Sequence, residues 1–155
     1  MKEIQLTKGF VTIVDDEDYE WLNQWKWHAS KRNDKFYASR RLGKHGKFIH
    51  MHRLLLGLSE DDKTMPDHVD RDTLNNQRNN LRVATRSQNN ANKKQIGKSG
   101  FMGVFPSGKN TFFARIRKDK KNIYLGNFST KELAAVAYNI AAIIHHGEFA
   151  NLNQV

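Results

Sequence analysis

Asp67-His68-Val69-Asp70-Arg71-Asp72-Thr73-Leu74-Asn75-Asn76-Gln77-Arg78-Asn79-Asn80-Leu81-Arg82-Val83-Ala84-Thr85-Arg86-Ser87-Gln88-Asn89-Asn90 is the stretch that decides the fold. Pro66 restricts Met65 to extended geometry, so Asp67-His68-Val69 is expected to begin as a strand. The Asp, Asn and Arg content of residues 70–79 is that of a turn. Leu81-Arg82-Val83-Ala84 alternates as a second short strand. Thr85-Arg86-Ser87-Gln88 has the spacing of a capping box, and the helix it opens carries Asn89 in its second turn. The order is strand, loop, strand, helix.

The same stretch holds the parts of a phosphodiester-cutting site. His68 has an ordinary pKa of about 6.5, so its neutral ring can take a proton from water near pH 7. Asp67 offers a hard carboxylate oxygen and Asn89 a neutral amide oxygen. Mg²⁺ prefers oxygen ligands and usually takes few from protein, which leaves room for water and a phosphate oxygen. Asn79, Asn90 and Asn92 are neighbouring amides, so the ligand could sit at an adjacent position.

The intervals between His68, Asn80 and Asn89 are 12 and 9 residues. With Asn-Asn-Leu-Arg and Ser-Gln-Asn-Asn, they resemble the His-Asn-Asn variant of the HNH motif in phage homing endonucleases. The resemblance implies a ββα-metal finger over about residues 65–94. It also implies one Mg²⁺ or Mn²⁺ ion on Asp67 and Asn89, His68 as general base, and Asn80 tying down the loop that orients it. Ends with 5′ phosphate and 3′ hydroxyl are implied as well. A zinc site is not, because the last position is asparagine.

Working outward, residues 1–66 read as a β-rich lead-in. Phe10-Val11-Thr12-Ile13-Val14 is a strand after a Gly9 turn, and Asp15 and Asp16 can cap a helix carrying Tyr19, Leu22 and Trp25 on one face. Residues 36–42 and 47–50 flank Gly43-Lys44-His45-Gly46 as a hairpin, and Met51 to Leu58 reads as a short helix. Trp21, Trp25 and Trp27 are expected in the core. His52 is expected as a packed or hydrogen-bonded helix residue, with support of the site as the other reading.

Residues 95–99 are basic and glycine-bearing and read as a linker between a nuclease domain at 1–94 and a second domain at 100–155. Three short strands, 103–105, 112–117 and 122–126, precede a capping box at Ser129-Thr130-Lys131-Glu132. The helix that follows is expected to lay Leu133, Val136, Ala137, Ile140, Ala141 and Ile144 on one face and to stop by Gly147. The fold class is therefore α+β: a β-rich N-terminal region, a ββα finger, then a three-stranded antiparallel sheet packed on one helix.

Ala114-Arg115-Ile116-Arg117, Tyr124-Leu125-Gly126-Asn127-Phe128, Glu132-Leu133-Ala134-Ala135-Val136-Ala137-Tyr138 and Ala150-Asn151-Leu152-Asn153 resemble the plant ethylene-responsive-factor (AP-two) DNA-binding domain. That family sets its sheet in the major groove, where arginine can read guanine. The resemblance implies DNA contacts from Arg115, Arg117, Asn122 and Tyr124, with Lys109, Lys118, Lys120 and Lys121 on phosphates. Arg82 and Arg86 are further expected DNA contacts. Met102, Phe105 and Ser107 stand where the plant domains carry arginine and tryptophan, so the plant recognition sequence does not carry over.

Composition agrees. The 155 residues carry 26 Lys and Arg against 16 Asp and Glu, a net charge of +10 that favours a polyanion. The surplus is greatest in residues 95–155, with 8 basic and 3 acidic side chains. The absence of cysteine excludes disulfides and thiolate chemistry. No apolar run approaches membrane-spanning length and the N-terminus lacks the apolar segment of a signal peptide, so a DNA-associated protein of a bacterial cytoplasm is expected. Double-stranded DNA is the expected partner, and no protein partner is evident. The leading function is a metal-dependent endonuclease. The alternatives are a regulator that binds DNA on a decayed nuclease fold, and an RNA-binding protein.

Overall fold

A computed structural model describes residues 1–43 and 46–155. Lys44 and His45, at the tip of the expected hairpin, lie outside the described residues. The chain divides into two compact units, Met1–Thr85 and Arg86–Val155. The division falls at Thr85, ahead of the linker expected at 95–99.

In the first unit, β1 (Lys2–Gln5) pairs antiparallel with β2 (Val11–Val14). Lys8 and Gly9, both at positive φ, turn the chain between them. The helix α1 (Asp16–Asn23) follows. Asp15 stands at its N-cap with its carbonyl accepting the Asp18 N–H at 3.1 Å, while its carboxylate bonds away from the helix, accepting from Gln77 Nε2 at 3.1 Å and the Arg78 N–H at 2.7 Å. The expected hairpin is β4 (Lys35–Arg41) and β5 (Phe48–His50), joined by an unanticipated strand, β3 (His28–Arg32), to give the order β3-β4-β5. Then come α2 (Met51–Leu55), β6 (Met65–His68) and its antiparallel partner β7 (Leu81–Ala84).

Ile4, Leu6, Val14, Leu22, Trp27, Ala29, Ala38, Met51, Leu55 and Leu81 make the core of this unit. Trp27 is fully buried and its indole N–H donates to the Leu22 carbonyl at 2.9 Å, which satisfies its one polar atom. Trp21 and Trp25 pack on that core edge to face. The tryptophans are therefore structural, as their clustering suggests.

The second unit opens with α3 (Arg86–Ala91) and holds a sheet of β8 (Val104–Gly108), β9 (Thr111–Lys118) and β10 (Lys121–Phe128) in the order β10-β9-β8. Residues 95–99 are tied to this sheet: Ile96 bridges Met102, and Ser99 Oγ donates to the Val104 carbonyl at 2.9 Å. The long helix α4 (Lys131–His146) starts at Thr130, whose hydroxyl accepts from the Leu133 N–H at 3.2 Å, one residue beyond the Ser129 cap that the box Ser129-Thr130-Lys131-Glu132 predicts. Gly147 ends it at φ 54°.

The face that α4 turns to the sheet differs from the expected one. Ala134, Ala135, Ala141 and Ala142 are buried against Val104, Ala114 and Ile116, while Leu133, Val136, Ile140 and Ile144 are exposed. Alanines let the helix axis approach the strands closely. Gly103 is part of the same contact: at φ 69°, a Cβ there would lie 2.1 Å from the Tyr138 ring. Asn153 closes the unit by bonding the Met102 backbone through both side-chain atoms and the Asn139 side chain through its N–H. Among the described residues, no helix is long and apolar enough to cross a membrane.

Candidate active site and candidate nucleic-acid face

The β6–β7 register sets Asp67 opposite Arg82 and His68 opposite Leu81. Because side chains alternate along a strand, Asp67 and His68 meet different neighbours. Asp67, buried, receives Arg82 Nε and Nη2, each at 2.9 Å. Arg82, expected as a DNA contact, thus has its guanidinium on the Asp67 carboxylate. A directly opposed cross-strand pair explains this contact.

His68 is also buried, and its Nε2 lies 3.3 Å from Asn76 Oδ1. The Asn76 amide is oriented by its other end: Nδ2 donates to Thr12 Oγ1 at 2.7 Å, and Thr12 Oγ1 donates to the Leu74 carbonyl at 2.7 Å. Asn76 Oδ1 therefore accepts, so the His68 proton sits on Nε2 and the lone pair on Nδ1. Burial pushes the His68 pKa down, partly offset by the Asn76 bond and the charges of Asp70 and Asp67. The neutral form of the ring is the favoured one, as a base requires.

Asn80 holds the intervening loop. Its Oδ1 accepts the Asp70 N–H at 3.0 Å, and its Nδ2 donates to Asp70 Oδ1 at 2.9 Å and to the Asn75 carbonyl at 2.8 Å. Its own carbonyl accepts the Val69 N–H at 2.9 Å. Burial raises the Asp70 carboxyl, but bonds from Asn75, Asn80 and the Asp72 N–H outweigh it and the pKa falls. A buried amide spending both ends on one loop fixes the backbone beside His68.

Two residues of α2 lie beside the site: Arg53, which the sequence reading passed over, and His52, which it weighed as a packed helix residue or a support of the site. Arg53 on α2 is buried and donates to the carbonyls of Ser59, Asp62 (2.8 Å) and Thr64 (3.0 Å), which pins the loop that feeds β6. His52 is buried 5.3 Å, ring to ring, from His68 and 5.5 Å from His50, with Tyr37 at 5.6 Å. Its Nδ1 has no hydrogen-bond partner. Burial, with the neighbouring cations, drives its pKa from 6.5 to about 2. The only sequence signal was a charged pair inside the apolar run Met51-His52-Arg53-Leu54.

Asn89 and Arg86 stand on α3, in the second unit. Among the described residues no group of three or more His, Cys, Asp or Glu side chains is arranged to hold a metal ion. The donor chemistry on offer is one carboxylate at Asp67 and carboxamides, an oxygen set that suits Mg²⁺ with most positions left to water and substrate.

On β9, Ala114 and Ile116 are buried while Arg115 and Arg117 are exposed, the alternation the sequence implies. Asn122 lies opposite Arg117 and Tyr124 opposite Arg115 on β10, and both are exposed. Phe105, one of the positions that depart from the plant domains, lies beneath the Arg115 guanidinium at 4.3 Å and stacks on Phe113 at 5.1 Å. This contact limits how far Arg115 can swing. Lys109, Lys120 and Lys121 are exposed at the strand turns. Lys118 instead donates to the His145 carbonyl at 2.7 Å, at the C-terminus of α4. A groove of about 930 Å³ in this unit is lined by Arg86, Lys93, Arg115, Arg117 and Lys120, with Asp119 as its one carboxylate.

Residues 50–91 match the family of HNH endonucleases. The match begins at β5 and α2, so His52 and Arg53 fall within the family's unit and not in a lead-in. Beyond this stretch, the chain is 32% identical over 152 residues to an uncharacterized HNH endonuclease of Acanthamoeba polyphaga mimivirus, covering 96% of this chain and 77% of that one. The chain belongs to the HNH endonuclease family and is a DNA-cleaving hydrolase.

Proposed function

We propose a divalent-metal-dependent endonuclease of the phage homing type, which hydrolyses phosphodiester bonds of duplex DNA from a His-Asn-Asn site and grips its substrate with an AP-two-like C-terminal sheet. The observation that carries the reading is the His68 environment. A buried, neutral imidazole has its Nε2 hydrogen committed to Asn76, which puts the basic lone pair of the ring on Nδ1. Asn80 keeps the loop beside the base in one conformation. Arg82 orients the Asp67 carboxylate.

Asp67 and Asn89 would hold one Mg²⁺ or Mn²⁺ ion, assigned by their spacing from His68 and Asn80 in the chain. The ion, when bound, supplies charge stabilisation for the leaving 3′ oxygen. The exposed Arg115, Arg117, Asn122 and Tyr124 would face the major groove, and Arg86, Lys109, Lys120 and Lys121 the phosphates. The basic groove beside the sheet supports that arrangement.

The test is supercoiled plasmid incubated with Mg²⁺ or Mn²⁺, comparing wild type with His68→Ala and with Arg115→Ala/Arg117→Ala. Cutting by wild type, loss in His68→Ala with DNA binding retained, and weaker binding in the arginine pair are expected. Binding without cutting by the wild type overturns the catalytic reading in favour of a regulator.

A further inference from the structure

The outer face of α4 carries a row of large apolar side chains. Leu133, Val136, Ile140, Ile143 and Ile144 are between 42 and 72% exposed. Apolar surface of this kind on one helix is on the order of 500 Å², at the upper end of what a monomer's largest apolar patch reaches, and patches of that size are often functional. It does not follow from how the unit folds, since the buried face of α4 is built from its alanines.

The spacing within the row is specific. Leu133, Val136, Ile140 and Ile143 are separated by three, four and three residues, which is the a/d pattern of a helix–helix seam over nearly two heptads. Ala137 and Ile144 flank the seam, and the one charged side chain beside it is Glu132 at the N-terminal end. His145 and His146 close the other end.

We propose that this face is a homodimer interface, in which α4 of one copy lies antiparallel on α4 of a second. Antiparallel pairing is self-complementary about a two-fold axis: Leu133 meets Ile143 of the second copy, and Val136 meets Ile140. It sets Glu132 of each helix near the histidine end of the other and opposes the helix dipoles favourably. Two patches bury about 1,000 Å² between them, the lower bound for a specific protein–protein contact. The seam lies on the side of the sheet away from Arg115 and Arg117, because α4 covers one sheet face and the arginines leave from the other. A dimer formed this way keeps both arginine faces open to solvent, one on each copy, and has the geometry to hold two DNA segments.

Sedimentation equilibrium of the full chain between about 1 and 100 µM tests the interface. The wild type is expected to rise with concentration from the chain mass towards twice that mass. Ile140→Glu is expected to weaken dimerisation at least about a hundredfold, since each dimer then buries two carboxylates in place of two isoleucines. Ile140→Leu is expected to dimerise as the wild type does, and far-UV circular dichroism of all three should coincide because position 140 is exposed. A wild type that stays monomeric throughout, or an Ile140→Glu variant that dimerises equally well, overturns the proposal. Co-flotation of a monomeric wild type with neutral phosphatidylcholine vesicles overturns it in favour of a lipid surface.

Discussion

Replacing His52 with leucine should flatten the acid dependence of stability without much changing stability at neutral pH. In the fold His52 is buried, with 7% of the residue exposed, and its Nδ1 is unpartnered. The unfolded chain takes up this proton near pH 6.5, whereas the folded chain holds it off until about 2. Between those values the unfolded state binds more protons, so stability falls as pH falls. One such group changes stability by about 1.4 kcal/mol per pH unit, or roughly 2 kcal/mol between pH 6.5 and 5. His68, also lowered by burial, acts in the same direction. Asp18 and Asp70, both lowered from 3.8, contribute only below that value, so the window from 6.5 to 5 isolates histidine. Leucine removes an orphaned nitrogen at similar volume, so at pH 7.5 the change should stay within about 1 kcal/mol. Urea unfolding followed by tryptophan fluorescence is the assay, because Trp21, Trp25 and Trp27 all lie in the unit that holds His52. An unchanged slope between pH 6.5 and 5 in the variant refutes the argument.

Asn80→Ala deletes three side-chain bonds and leaves the Asp70 N–H and the Asn75 carbonyl unpaired; a loss of about 2–3 kcal/mol and of cleavage is expected, read by the same unfolding curve and the plasmid assay. Arg78→Ala strips the paired 2.7 Å bonds from Asp18, which is buried, and should cost roughly 2 kcal/mol, tempered because Arg78 is half exposed; a midpoint equal to wild type would contradict it. Gly103→Ala forces a methyl into the Tyr138 ring and towards the Arg115 carbonyl at a positive φ. Faster hydrogen exchange across β8–β10 and weaker DNA binding should accompany a loss of about 3 kcal/mol.

Much of this was legible along the chain, and the remainder had a physical reason to be hidden. The His68–Asn80–Asn89 intervals, the Ala114–Ile116 alternation and the start of α4 to within one residue are local, since a turn, a pleat and a first helical turn are each fixed by residues a few places apart. By contrast, β3 has a mixed polar sequence, His28-Ala29-Ser30-Lys31-Arg32, whose strand conformation comes from pairing with β4. The contact of Arg82 with Asp67 depends on the β6–β7 register across a 15-residue separation. Asn76 looked like one amide among many until Thr12, 64 positions away, fixed which end faces His68.

What the sequence determined alone was the list of chemical parts: a base, a carboxylate and carboxamides at set intervals, and arginines on one side of a strand. Tertiary structure decided their states. Burial made His68 and His52 neutral, a long-range hydrogen bond selected the His68 tautomer, and close approach across Gly103 and the alanines turned the isoleucines of α4 outward. Periodicity can mark two apolar stripes on one helix, but only the distance to the opposing sheet decides which of them is buried.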